Sequence, residues 1–255
     1  VRPADAIERL AAAGCVDPTA EVAEMSRWAP ADVAGWKLPS DWVRRRERGE
    51  PLPWITGHAT FGGVDLRVRS GVYPPRPWSA ELALVAAGRL GERGRLLDLC
   101  TGCGAIGALV RSRRPGALVV GVDVDPVAAA CARRNGVPAV AGDLDAPLHA
   151  AARVDVVAAV APYVPTAELD SLPADVRAHE PRRALDGGPD GLDVVRRVIE
   201  VAARRIVAGG WLLIELGGDQ DAAVADDLEA AGFEPAESWH ANDGELLGLV
   251  ARRHR

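Results

Sequence analysis

The segment Asp98-Leu99-Cys100-Thr101-Gly102-Cys103-Gly104-Ala105-Ile106-Gly107 constrains this chain more than any other. A short apolar run at 96–99 leads into it, and a helix-forming stretch at 105–113 leaves it. Gly102, Gly104 and Gly107 therefore form G-x-G-x-x-G between a strand and a helix. There, glycines let backbone approach a ligand and let the helix pack closely on the strand. The motif alone serves dinucleotides as well as other adenosine ligands, and it also occurs as a tight structural turn.

The surrounding pattern fixes the architecture. Strands are expected at 96–99, 118–122, 138–141, 154–160 and 211–216, with helices at 105–113, 126–134, 192–207 and 222–231. Such alternation implies an α/β fold, a mainly parallel Rossmann-like sheet with helices on both faces. Residues 233–239 and 246–251 suit an antiparallel closing pair. Ahead of this domain (79–255), residues 1–48 read as a small helical domain. It is punctuated by Pro30 and Pro39 and stopped by Gly49 and Pro51. Residues 49–78 read as a linker: Phe61-Gly62-Gly63-Val64 marks a β-hairpin, and Tyr73-Pro74-Pro75-Arg76-Pro77-Trp78 is too proline-rich for a helix interior.

Composition excludes several classes of function. The 255 residues carry a net charge of −6 with no long basic block, so no nucleic-acid footprint is expected. No apolar run approaches the roughly 20 residues of a membrane span. Arg2, Asp5, Glu8 and Arg9 interrupt any signal-like apolar segment. Cys15, Cys100, Cys103 and Cys131 fit free thiols in a reducing, cytoplasmic compartment. Cys100 and Cys103 form C-x-x-C, but there is no second ligand pair at metal spacing, so no metal site is expected.

Acidic residues at successive strand ends sharpen the ligand. Asp123 lies about 20 residues beyond the glycines, where a carboxylate accepts ribose hydroxyls. Asp125 competes for that role, though strand polarity favours Asp123. Asp143 follows the third strand and suits an adenine amino group. Asp98 lies at the start of the first loop; it would repel a pyrophosphate, and no arginine near the turn compensates. A sulfonium and an amino-acid moiety suit that carboxylate, which points to S-adenosyl-L-methionine, with S-adenosyl-L-homocysteine as product, in preference to a nicotinamide dinucleotide.

With these residues in place the chain resembles the HemK-type protein N5-glutamine methyltransferases, which modify the Gly-Gly-Gln glutamine of peptide chain release factors. Gly49-Glu50-Pro51-Leu52 and Trp54-Ile55-Thr56-Gly57 look like that family's linker. Pro75-Arg76-Pro77 resembles its Pro-Arg-Pro-Glu-Thr-Glu segment, and Glu180-Pro181, Ala184-Leu185 and Gly187-Gly188-Pro189-Asp190-Gly191-Leu192-Asp193 match a long signature after the fourth strand. The resemblance implies that Arg76, Asp98, Cys100, Thr101, Gly102, Cys103, Gly104, Gly107, Asp123, Asp143 and Leu144 serve the cofactor. It implies that Trp78 and Glu180 serve the substrate, and that Val160, Ala161, Pro162 and Tyr163 occupy the catalytic motif. It also implies N-terminal helices that recognise a partner.

The departures bear on the acceptor. The family's Asn-Pro-Pro-Tyr is here Val160-Ala161-Pro162-Tyr163. In the family, the Asn side chain and a following carbonyl hold the substrate amide. An amide nitrogen is a poor nucleophile because its lone pair is delocalised, so positioning it is a major part of catalysis. Val160 neither donates nor accepts. Trp78-Ser79-Ala80 stands where the family has Glu-Thr-Glu, and Leu144 where some members carry an aromatic. His179, Glu180 and Asp186 are candidate bases for an amine or guanidine acceptor. Three readings follow: a glutamine N-methyltransferase acting on a release factor, an N-methyltransferase of a small-molecule acceptor in biosynthesis, and a non-catalytic S-adenosylmethionine-binding protein.

Overall fold

The computed structural model describes residues 1–30 and 37–255. Three helices open the chain: α1 (Pro3–Ala12), α2 (Pro18–Trp28) and α3 (Ser40–Glu47). Helices α1 and α2 both begin on proline, whose missing N–H costs nothing at the first helical position. Asp17 caps α2 by accepting the Ala20 N–H at 2.9 Å. Ala6, Leu10, Val22, Met25, Leu38 and Val43 form a core of their own. Ion pairs Arg9–Glu47 (2.7 Å) and Arg46–Glu21 (2.6 Å) tie these helices together. Residues 31–36 of the expected helical span lie outside the described residues.

The short helix α4 (Leu52–Thr56) follows, then the hairpin β1 (His58–Phe61) and β2 (Val64–Arg67). Gly62 and Gly63 have φ of 55° and 84°, the positive values a two-residue hairpin turn demands. The indole of Trp54 donates to the Val72 carbonyl at 2.8 Å and anchors the linker. Sequence reading places no element between 79 and 95. The structure places α5 (Ser79–Arg89) there, with Leu82, Ala83, Ala86 and Ala87 buried on one face.

The remaining elements are β3 (Arg95–Leu99), α6 (Ala105–Arg113), β4 (Leu118–Asp123), α7 (Pro126–Arg134), β5 (Ala139–Ala141) and β6 (Val154–Ala159). They continue with α8 (Ala174–His179), α9 (Asp193–Arg205), β7 (Ile206–Glu215), α10 (Gln220–Ala223), α11 (Ala225–Ala230), β8 (Glu237–His240) and β9 (Leu246–Arg252). Strand β7 starts five residues before the apolar run at 211, and the helix expected at 222–231 is divided at Val224.

Seven strands form one sheet in the order β5-β4-β3-β6-β7-β9-β8. The first five are parallel, and β9 and β8 close the edge antiparallel. Both faces are buried. In β6, Val156 and Ala158 join one core with α5, α6 and α7, whereas Val157 and Ala159 join another with α9 and α11. This is the expected Rossmann-like α/β fold. Strand order reverses between β3 and β6, where Leu99 pairs with Ala159. A ligand crevice opens at such a switch point, beyond the carboxyl ends of the strands. The loops beginning at Cys100 and Val160 therefore start side by side.

Candidate active site

A cleft of about 380 Å3 opens over the ends of β3, β4, β5 and β6. Asp98 lies at its base and is 1% exposed. One carboxylate oxygen, Oδ2, accepts the Thr101 hydroxyl at 2.5 Å and the Gly107 N–H at 3.1 Å. The other, Oδ1, is buried and has no hydrogen-bond partner among the described residues. Burial, opposed by those two hydrogen bonds, pushes the carboxyl up to about 7. A buried acceptor lacking a donor costs free energy unless a ligand supplies one.

The three glycines divide the work. Gly102 has a φ of 56° and open space beside its Cα, and it lines the cleft. Neither Gly104 nor Gly107 lines it. A Cβ on Gly104 would meet Ala132 at 2.9 Å, and one on Gly107 would meet Val137 at 2.9 Å and Val119 at 3.1 Å. These two seat α6 against α7 and the sheet, the close packing expected of the motif, and lie outside the lining of the cleft.

Asp123 is held from below. Its oxygens accept the Gly102 N–H and the Asp125 N–H, each at 2.8 Å, with lone pairs left toward the cleft. Asp125 caps α7 through the Val127 N–H at 2.9 Å and pairs with Arg183 at 2.6 Å. Asp143 pairs with Arg197, also at 2.6 Å. Arg183 and Arg197 thus bridge the cleft mouth from the segment after β6. Among the described residues, Cys100 (φ 55°) and Leu144 (φ 47°) are the two non-glycine residues with positive φ, and both line this cleft. Such strain concentrates at functional sites. Val124 lines it too, at 63% exposure, an apolar surface beside Asp123.

Cys100 and Cys103 also line the cleft, and burial pushes both thiols up, away from the reactive thiolate. Thr101 contributes through its hydroxyl to Asp98.

On the acceptor side, Val160 and Pro162 line the cleft, Ala161 is buried, and Tyr163 lines a wider groove next to it. Tyr73 and Arg76 line both spaces. One guanidinium nitrogen of Arg76 bridges both oxygens of Glu180, at 2.6 and 2.7 Å, while its Nε donates to the Tyr73 hydroxyl at 3.1 Å. Glu180 is therefore directed at Arg76 and does not line either space. Trp78 is 47% exposed on the groove, and its indole N–H reaches Glu215 at 3.4 Å.

The candidate bases are occupied elsewhere. His179 contacts the Arg48 carbonyl at 3.2 Å. Asp186 accepts the Thr166 hydroxyl at 2.6 Å and the Gly188 N–H at 3.1 Å, which hold its carboxyl below the usual range. Sequence reasoning missed Glu215, Arg183, Arg197 and Val124. Glu215 had a usable signal: it is an acid at the end of an otherwise apolar strand, as Asp98 and Asp123 are.

No family model matches the chain. A release factor glutamine methyltransferase of Moorella thermoacetica is 36% identical over 251 residues, covering 89% of this chain and 88% of that protein. One of Geobacter sulfurreducens is 38% identical over 196 residues, covering 75% and 69%. Among solved structures, a Thermus thermophilus 16S rRNA N2 G1207 methyltransferase in complex with AdoMet and guanosine superposes with a TM-score of 0.55 at 23% identity. It covers 77% of this chain and 50% of that one. A ribosomal protein L11 methylase from Lactobacillus delbrueckii gives 0.54 at 14% identity, covering 74% and 86%. At these identities the two structures speak to the fold.

Proposed function

The chain belongs to the release factor glutamine methyltransferase family, and from that premise we propose that it is an S-adenosylmethionine-dependent N-methyltransferase whose acceptor is a glutamine side chain of a peptide chain release factor. The observation that carries the cofactor half is Asp98 Oδ1, a buried acceptor without a donor among the described residues. The amino group of the cofactor's methionine moiety is a donor of the right charge, and a pyrophosphate is not. When bound, S-adenosylmethionine supplies an electrophilic methyl group on a sulfonium and leaves as S-adenosylhomocysteine.

The chain's residues do the rest. Asp98 orients the amino-acid end. Asp123, its carboxylate fixed by two backbone N–H groups, offers its remaining lone pairs to ribose hydroxyls. Val124 and Leu144 provide apolar surface for the base, with Asp143 beside them. Methyl transfer to nitrogen needs in-line approach and an available lone pair, so the acceptor side acts by positioning. Tyr163, which lines the groove beside the cleft, remains for that task. Residues 1–48, with their own core, are the part we assign to partner recognition.

A second reading has one observation in its favour. Val160 packs partly buried against the core below the cleft and offers an amide nothing to bond. An amine needs no such polarisation, so position 160 favours a small-molecule amine over glutamine.

The test is methyl transfer from isotopically labelled S-adenosylmethionine to a release factor, with mass analysis of the Gly-Gly-Gln peptide. A methylated glutamine is expected. Tight cofactor binding with an unmodified release factor rejects the glutamine reading, and absence of calorimetric cofactor binding rejects both.

A further inference from the structure

Glu215 ends the interior strand β7 and is 1% exposed. Three groups from two segments donate to its carboxylate: the Ser79 hydroxyl at 2.5 Å and the Trp78 indole at 3.4 Å from one, and the Tyr163 hydroxyl at 3.3 Å from the other. Among the described residues no salt bridge reaches it. The nearby guanidinium of Arg76 is committed to Glu180 and Tyr73. Burying a carboxylate without a counter-ion is expensive unless hydrogen bonds satisfy it. Here three neutral donors do so, aided by the N-terminus of α5, which begins at Ser79 and carries partial positive charge.

The donors are not random core groups. Trp78 follows the Pro75-Arg76-Pro77 loop, and Tyr163 closes the segment that starts at Val160. Both line the groove beside the cofactor cleft. We propose that Glu215 is the positioning residue of the acceptor site, fixing Trp78, Ser79 and Tyr163 as one wall between cleft and groove. This rests on the methyltransferase reading above. A leucine would fill the same core volume at lower cost but would leave three donors without an acceptor and the wall free to shift.

The test is Glu215→Gln in the full chain. Gln keeps the volume but offers one accepting oxygen in place of two. Cofactor affinity by calorimetry is expected to stay within about twofold. The acceptor KM is expected to rise at least about tenfold, the scale of one lost hydrogen bond to a charged group. Trp78, read as the fluorescence difference from Trp78→Phe, is expected to become more open to acrylamide quenching. Tyr163→Phe, which removes one donor and leaves the carboxylate in place, is expected to raise acceptor KM less, and not additively with Glu215→Gln. If Glu215→Gln fails to fold, Ser79→Ala is read for the same Trp78 signal. Unchanged acceptor KM and unchanged quenching overturn the proposal, as does a cofactor affinity that weakens as much as acceptor KM rises. A wild-type protein that makes no S-adenosylhomocysteine with a release factor overturns the acceptor reading instead, and the Trp78 signal then decides the role of Glu215 alone.

Discussion

Arg76 and Glu180, from the proline-rich linker and the segment after α8, meet with one guanidinium nitrogen across both carboxylate oxygens at 2.6 and 2.7 Å. The Glu180 side chain is 2% exposed and that of Arg76 is 22% exposed. Two expected ligand-binding residues thus bind each other, and they fix the loop that separates cleft from groove.

Removing one partner strands the other. Glu180→Gln is expected to destabilise the protein by about 3–5 kcal/mol, the cost of breaking a buried pair. Replacing both, as in Arg76→Met with Glu180→Leu, is expected to recover much of that loss in urea unfolding. If the single variant costs under about 1 kcal/mol, the pair behaves as a surface contact.

Asp98 predicts a pH dependence. Its carboxyl titrates at about 7 in the free protein, and an unfolded aspartate near 3.9. Between those values the folded state binds more protons, so this group's contribution to stability falls as pH rises from about 4 to 7. Cofactor binding runs the other way. An ammonium needs the ionised carboxylate, so affinity is expected to rise with pH up to about 7. It should then fall as the cofactor's own α-amino group loses its proton, near 7.7–8.0 for such groups. Calorimetry across pH 5.5–9 reads this profile, and Asp98→Asn is expected to remove the acid limb.

The glycines predict separable defects. Gly107→Ala forces a methyl against Val137, Val119 and Asp98 Oδ2 at 3.2 Å or less. Overpacking of this kind costs about 1–3 kcal/mol, which thermal unfolding will register. Gly102→Ala meets open space but keeps a φ of 56°. It is expected to weaken cofactor binding more than folding. Equal losses of stability in both variants contradict the division of roles.

Val160→Asn restores the side chain that the family uses to hold an amide. With cofactor affinity unchanged, release-factor methylation is expected to increase by about tenfold or more, as one recovered hydrogen bond in a desolvated site allows. No gain would place the barrier elsewhere, with Trp78 the next position to revert.

Much of the fold was legible because it rests on local pattern. The strand and helix alternation from 96 onward follows from apolar periodicity, and residues 105–113 and 126–134 are helical with the expected ends. Helix α5 was not legible, since Pro75 and Pro77 just before it dominate the local signal. The lining of the cleft could be read in part: Cys100, Thr101, Gly102 and Cys103 and the acids at or just past the ends of β3, β4 and β5 converge on one cleft because strand ends in a parallel sheet share one edge. The acceptor side could not. Its chemistry depends on which side chains find each other across more than a hundred positions, and spacing carries no record of that.

The sheet, the edge at which the ligand crevice opens, and the acids and Gly102 that face it are written in local pattern. These follow from periodicity of 2 and 3.6 and from backbone rules that act within a few residues. Packing of the whole chain decided that Glu180 answers Arg76. It alone also placed Glu215 at the meeting point of Trp78, Ser79 and Tyr163. A buried charge or polar group takes whichever partner packing brings within reach, because leaving it unpaired costs more than any local preference supplies.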